Sequence, residues 1–394
     1  MRKTISIAIS LLGVSGSAQA QSSVVLYGII DAGFAYTSNE APAVGKPGEH
    51  RFRMLSGSLS GERWGLKGTE ALGAGLNAIF TLENGFYSMN GKFAQGGLEF
   101  GRQAFVGLSS DRFGTVTMGR QYDFAEMIQP MLSWNQFIGP FGAHVGDNDN
   151  LYQTVRTNNS IKYQSPVVSG LTFGAIYGFS NQASGQNGVG FANNREYNFG
   201  ASYVQGPLRL AASYMRLDNP SAANNTNPDG AVAANQYTLG ASSIFYNYSP
   251  VARQSVVAAG GAYAFSFATL AFVYSNTTLI YGDGTRLRLR NYEINGKKFL
   301  TPSVLVGIGY TYTSGSGQDG MSIKPFASGN HPSWHQINLG AEYLLSKRTL
   351  LHVATIVQFA TKDATTAAIN YDGAVTGSNG YKQVSVVAGL RHTF

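Results

Sequence analysis

Alternation with a period of two runs along most of this chain, and its two sets of positions are chemically unlike. Within 385–394, Val386, Ala388, Leu390, His392 and Phe394 take one parity against Ser385, Val387, Gly389, Arg391 and Thr393. Within 302–314, Val304, Val306, Ile308, Tyr310 and Tyr312 oppose Gly307, Gly309 and Thr311. Within 334–345, Ile337, Leu339, Ala341 and Tyr343 oppose Gln336, Asn338, Gly340 and Glu342. Successive side chains of a strand point to opposite faces, so this period predicts strands with one apolar face and one small, polar face. A soluble sandwich would turn the apolar face into a core. A transmembrane barrel turns it to lipid, with aromatic girdles at both interfaces and a polar lumen. Segments of about ten residues with Tyr or Phe near their ends fit the barrel.

Connection lengths point the same way. Short links (71–74, 110–112, 166–169, 206–207, 300–302, 346–347) alternate with long ones (37–61, 85–98, 123–157, 180–194, 217–252, 278–286, 315–333, 361–380). Outer-membrane barrels have short periplasmic turns and long external loops. The segments number sixteen: 23–36, 62–70, 74–84, 99–109, 113–122, 158–165, 169–179, 195–205, 207–216, 253–265, 266–277, 287–299, 302–314, 334–345, 348–360 and 381–394. Segment 236–248 is a further candidate strand, without the partner that an even count would need. The uncharged stretch 255–275 is as long as a membrane helix, but Gly260-Gly261 and the alternation of Ala268, Leu270, Phe272 and Tyr274 make it a hairpin.

The N-terminus is of a different kind. Arg2 and Lys3 precede an apolar run from Ile5 to Val14, and Ala18-Gln19-Ala20 forms a small-x-small cleavage site. Residues 1–20 therefore read as a Sec-type bacterial export signal, leaving 21–394 as one barrel domain. Composition then narrows the class. The 394 residues hold 49 Gly, 22 Tyr and 23 Phe but no Cys, and only 12% are charged, which excludes a disordered chain, a disulfide scaffold and a Cys-ligated zinc site. The net charge is +7, and the chain without Arg2 and Lys3 carries 26 basic against 21 acidic residues, or +5. The basic residues are scattered and form no nucleic-acid stripe.

Four stretches carry a family resemblance: SSVVLYGIIDAGFAY at 22–36, GERWGLKGTEALGAGLNAIFTLENG at 61–85, RQAFVGLSSDRFGTVTMGRQYD at 102–123 and a closing GLRHTF, supported by NNSIKYQSPVVSGLTFGAIYG at 158–178. On these the chain resembles the general porins of Gram-negative bacteria, in the trimeric sixteen-strand group typical of β-proteobacteria. The resemblance implies an all-β transmembrane barrel in the outer membrane that lets small hydrophilic solutes and ions diffuse passively. It also implies a homotrimer in contact with outer-membrane lipid and lipopolysaccharide, and no cofactor. Phe394, on the lipid-facing parity, matches the terminal signal read by the outer-membrane assembly machinery in this family. In similar porins the third long loop, here 124–157, folds into the barrel and forms the constriction. Trp134, Phe137, Pro140 and Phe141 suit packing on the wall, and Glu126, Asp147 and Asp149 suit a water-facing acidic side.

By the same resemblance Arg63, Arg102 and Arg156 match arginines at the eyelet. Parity supports Arg63 and adds Lys67, since Trp64, Leu66 and Gly68 take the other face. Arg102 shares parity with Val106 and Leu108, so it needs a bulge or a rim position. Arg286, Arg288 and Arg290 alternate with Leu287 and Leu289, which predicts an inward basic row. Together these charges predict a mild anion preference moderated by the acidic loop. Other signals are weaker. Gly315–Gly320 spells GxGxxG without a following helix or ribose-binding acid. His331 and His335 have Pro332 between them, and Asp147-Asn-Asp149 lacks the Gly and Glu of a calcium loop. An outer-membrane lipase or protease would need a nucleophile or acid pair with His, and none of the six histidines sits beside a GxSxG or comparable partner. A channel with a preferred substrate, or a periplasmic β-sandwich binding protein, is the remaining alternative.

Overall fold

The computed structural model describes residues 23–41, 47–182, 190–220, 230–233, 236–237, 239, 243–245, 247–369 and 377–394. The proposed export signal lies outside them. Seventeen strands form one antiparallel sheet that closes on itself. They are β1 Ser23–Glu40, β2 Glu49–Ser56, β3 Arg63–Gly73, β4 Leu76–Gly85, β5 Gln103–Ser110, β6 Gly114–Gln121, β7 Thr157–Gln164, β8 Leu171–Gly178 and β9 Arg195–Gln205. The other half holds β10 Leu208–Asp218, β11 Val251–Ala264, β12 Thr269–Tyr281, β13 Arg286–Thr301, β14 Val304–Gln318, β15 Ser333–Leu344, β16 Thr349–Thr361 and β17 Lys382–Thr393. β2 and β3 pair end to end along the same side of β1, so they make one stave of a sixteen-strand barrel. The sequence reading placed 49–56 in a loop. Phe52 and Met54 face outward there against Arg51, Arg53 and Leu55, and the Gly/Ser-rich stretch 57–61 hid the continuity.

Closure joins the two ends of the chain. β1 pairs β17 from Ile29↔Thr393 to Thr37↔Ser385. Phe394 extends the ladder, donating its N–H to Gly28 O at 3.0 Å and accepting from Gly28 N at 3.1 Å. Its ring lies where a Cβ on residue 28 would stand, so only glycine fits. The outward parity is apolar in mid-wall, with Leu270, Phe272, Ile294, Ile308, Ile337, Leu339, Leu351 and Val353 all exposed. Aromatic residues flank this band: Tyr274, Tyr292 and Tyr312 towards the external end, Phe265, Phe267, Phe299 and Tyr343 towards the periplasmic end. This is the lipid-facing belt of an outer-membrane barrel. One external link is tighter than expected: β12 and β13 run on until only residues 282–285 join them. The described residues of 236–248 add no strand to the sheet.

Candidate constriction site

The link 122–156 enters the lumen instead of lying outside. Its short turns Phe124–Met127, Gln129–Met131, Trp134–Ile138, Pro140–Gly142 and Val145–Asp147 lie along the inner wall. Ile128, Met131 and Leu132 are buried against Ala211, Ala258, Ala271 and Val273. Phe137, Ile138 and Phe141 are buried with Leu55, Leu305, Ala354, Ile356 and Val387. The wall is bare where the largest rings rest. Phe124 lies over Gly174 and Gly200, and Phe137 over Gly307 and Gly340, where any Cβ would collide with the loop. Polar latches complete the seat. Ser133 N–H donates to Glu293 Oε1 (2.6 Å), Asn295 Nδ2 to Met131 O (2.8 Å), and Phe124 N–H to Asn198 Oδ1 (3.1 Å).

The loop leaves a cleft lined on one side by Arg63 and Arg102 with Tyr122 and Arg156 from the two ends of the link, and on the other by Glu126, Gln129, Trp134, Asn135 and Gln153. Tyr122 organises the arginines: the Arg156 and Arg102 guanidinium carbons stand 5.1 and 5.8 Å from its ring centroid. Arg156 Nη2 also donates to the Tyr122 hydroxyl at 3.3 Å. Arg102 Nε donates to Glu83 Oε1 at 2.8 Å, and the second Glu83 oxygen accepts from Tyr27 (2.9 Å). Arg102 escapes the parity objection because β5 begins one residue later; its N–H donates to Glu83 O at 3.2 Å. Arg63 follows an inward excursion, 57–62, tied to buried Asp31. That carboxylate accepts from Ser58 Oγ (2.6 Å), Leu59 N (2.9 Å) and Ser60 N (2.6 Å). Glu126 lines the cleft and is paired with Lys162 at 2.6 Å.

The other predicted site residues lie elsewhere. Lys67 shares the face of Arg63 but sits ~13 Å further along the strand, exposed, with its ammonium 5.4 Å from the Tyr27 ring centroid. Asp147 and Asp149 are buried and do not face the cleft. Asp147 folds the loop on itself, accepting from Tyr152 N (2.9 Å), Thr154 N (3.2 Å) and Thr154 Oγ1 (2.6 Å). Burial and the neighbouring Asp149 charge raise its pKa to about 7. Asp149 meets His144 Nδ1 at 2.6 Å, while His144 Nε2 meets Glu293 Oε2 at 3.1 Å. Although burial opposes its charge, the surrounding carboxylates raise the His144 pKa to about 10, so it bridges them as a cation. Asp149 and His144 therefore fasten the loop to β12 and β13, where Ser275 and Asn291 also donate to Asp149.

Arg286, Arg288 and Arg290 are a correction too. On β13 the lumen parity belongs to Leu287, Leu289, Asn291, Glu293 and Asn295, and the arginines share the outward face with Tyr292 and Ile294. The leucines point inward because the external half of the lumen holds an apolar cluster. Val145, Val232, Tyr237, Leu239, Phe245, Met321 and Phe326 from the loops pack there with Leu279, Leu287, Leu289 and Trp334. Sequence reasoning also passed over Glu83, Tyr122, Asp31, Lys162 and Arg120. Glu83 was accessible to it as the acid on the lumen parity of β4. Arg120, which sits in a break of the β6–β7 register and donates to Gly101 O (2.8 Å) and Gln236 Oε1 (2.5 Å), was not.

A closed barrel with a lipid-facing belt, narrowed by an inward loop to an arginine-lined cleft, defines a diffusion channel of the outer membrane. The chain belongs to the Gram-negative porin family, whose model matches residues 6–318. It is 35% identical over 385 residues to an outer membrane porin protein of Bordetella pertussis, covering 89% of this chain and 93% of that one. It is 30% identical to outer membrane porin protein 32 of Delftia acidovorans, with both chains fully covered. Among solved structures, an anion-selective porin from Comamonas acidovorans superposes with a TM-score of 0.71 at 23% identity, over 95% of this chain and all of that one. The chain is thus an outer-membrane porin for passive diffusion of small hydrophilic solutes.

Proposed function

We propose that this porin is a homotrimer with mild anion preference, exported by residues 1–20 and assembled through the Phe394 end, and that transport involves no chemical step. One observation carries the charge preference. In and around the cleft Glu83 is paired with Arg102 and Glu126 with Lys162, whereas Arg63, Arg120 and Arg156 have no carboxylate partner among the described residues. Glu62 is the remaining acid on the lining; its carboxylate accepts from Asp31 N and Ser88 N. The surplus is positive but small, and a ring of basic side chains favours anions. Roles for Arg63, Arg102, Arg156 and Glu126 at the eyelet follow from the same lining, and Lys67 acts below it as part of the approach. Size exclusion rests on the seated loop. Liposomes containing the protein should swell in neutral sugars at rates that fall steeply with sugar size. Removing 128–138 should abolish that dependence; equal rates for all sugars in the intact protein would contradict the reading.

A further inference from the structure

Arg120 stands beside the cleft without lining it. The residue is 8% exposed, and its acceptors among the described residues are neutral. Nε donates to Gly101 O (2.8 Å), Nη1 to Asn158 Oδ1 and Nη2 to Gln236 Oε1 (2.5 Å). Gln236 does line the cleft, together with Gln95, Arg102 and Arg156. Its amide is held at both ends, because Nε2 donates to Gln95 O at 2.8 Å. Only this orientation of the amide sets a donor against an acceptor on each side. Gln236 comes from the long external link between β10 and β11, and the described residues around it are seated on the barrel mouth. Ala231 O accepts from the Asn158 N–H on β7, and Ala231 N–H donates to Asn194 O, both at 2.8 Å. The Asn194 side chain brackets Val232, donating to its carbonyl and accepting from its N–H, each at 2.8 Å. Ala231 lies where a Cβ on Gly178 would stand, and Phe245 rests on Gly146 of the constriction loop. Tyr237 is buried and donates to Gln254 Oε1 at 2.9 Å.

A buried arginine without an acid is costly, and a carboxylate beside it would remove the cost together with the net charge. Neutral acceptors satisfy the N–H groups and leave the charge whole. Gln236 then stands between that charge and the ions in the cleft. We propose that Gln236 is a selectivity-determining residue of the channel: it screens Arg120 from permeating ions and holds the anion preference below what an open Arg120 would give. The inference deepens the charge-selective reading of the cleft, but it is read from differences between variants. A cation-preferring wild type would end that reading without touching this one.

Reversal potentials of the assembled porin in planar bilayers, under a potassium chloride gradient, test this. An anion that approaches a unit positive charge in water to about 5 Å instead of about 10 Å gains roughly twofold in local concentration. Gln236→Ala, which opens the way to Arg120, should therefore raise the chloride-to-potassium permeability ratio by roughly twofold. Gln236→Glu, which sets a carboxylate on the guanidinium, should lower the ratio below the wild-type value. In an Arg120→Gln background, Gln236→Ala should leave the ratio unchanged. A ratio untouched by Gln236→Ala in the otherwise native chain would overturn the proposal. So would an equal rise with and without Arg120, because Gln236 would then only hold its loop and narrow the cleft. Should Arg120→Gln fail to assemble, the two Gln236 variants still decide: shifts of the same sign are incompatible with screening.

Discussion

At the scale of single residues, one buried ion pair braces the cleft. The side chains of Arg102 and Glu83 are 9% and 5% exposed and bond at 2.8 Å. Removing one member of such a buried pair leaves a bare charge and costs roughly 3–5 kcal/mol, whereas removing both costs much less. Arg102→Gln should therefore lower the unfolding midpoint of the purified barrel markedly, and Arg102→Gln with Glu83→Gln should restore most of it. A single variant as stable as the wild type would show that the pair contributes nothing. Arg63 was legible from its neighbours because β3 keeps strict alternation from Arg63 onward. Arg102 and Arg120 were not, since one precedes its strand and the other sits in the break of the β6–β7 register between Gly119 and Gln121. Parity cannot assign a side chain where the ladder is broken. The β13 arginines failed for the opposite reason: alternation was intact, but the inside at that height is apolar, so the usual rule for choosing the inward face reversed.

The decisive element is the loop 122–156. Its length, its apolar residues and its place between the fifth and sixth barrel staves were readable, and its inward path was implied by the resemblance. The latches were not, because they pair residues far apart in sequence: His144 with Glu293, Ser133 with Asn338, Phe137 with Gly307 and Gly340. A glycine that reads as a small lumen residue is here a seat for a ring. His144 is the only cation between Asp149 and Glu293 among the described residues, with Asp147 next along the loop. His144→Ala should unseat the loop by roughly 3–5 kcal/mol, seen as larger and noisier single-channel currents; a quiet, unchanged channel would remove the latch. The pH dependence has a definite sign. The His144 pKa lies above its unfolded value, so its contribution is full below about 6.5 and is lost as pH rises through about 10. Asp147 is also raised, to about 7, so its term declines as pH rises from the ordinary carboxylate range to there. Asp149 is lowered, and its contribution disappears only as pH falls below the ordinary range. Current noise should thus be lowest in mildly acidic solution and grow as pH rises from neutrality towards about 10.

On the scale of the whole molecule, one sheet separates two solvents, and the sequence pattern records both. Nearly every strand was readable to within a few residues because lipid on one side and water on the other enforce opposite chemistry at adjacent positions. The first external loop was misjudged because the excursion 57–62 interrupts a stave, and the tight turn 282–285 because β12 and β13 rise past the membrane with polar side chains outside and an apolar cluster inside, the reverse of the wall below. Mean hydropathy near zero reflects this interleaving, not a bland surface. The central claim is that Arg63, Arg102 and Arg156 face a water-filled cleft and bias what crosses it. The reversal potential across a planar bilayer in a potassium chloride gradient tests this most directly. The wild type should reverse on the chloride side of zero, and Arg63→Glu with Arg156→Glu should carry it to the potassium side. A wild-type reversal on the potassium side, or a potential untouched by the two substitutions, would contradict it.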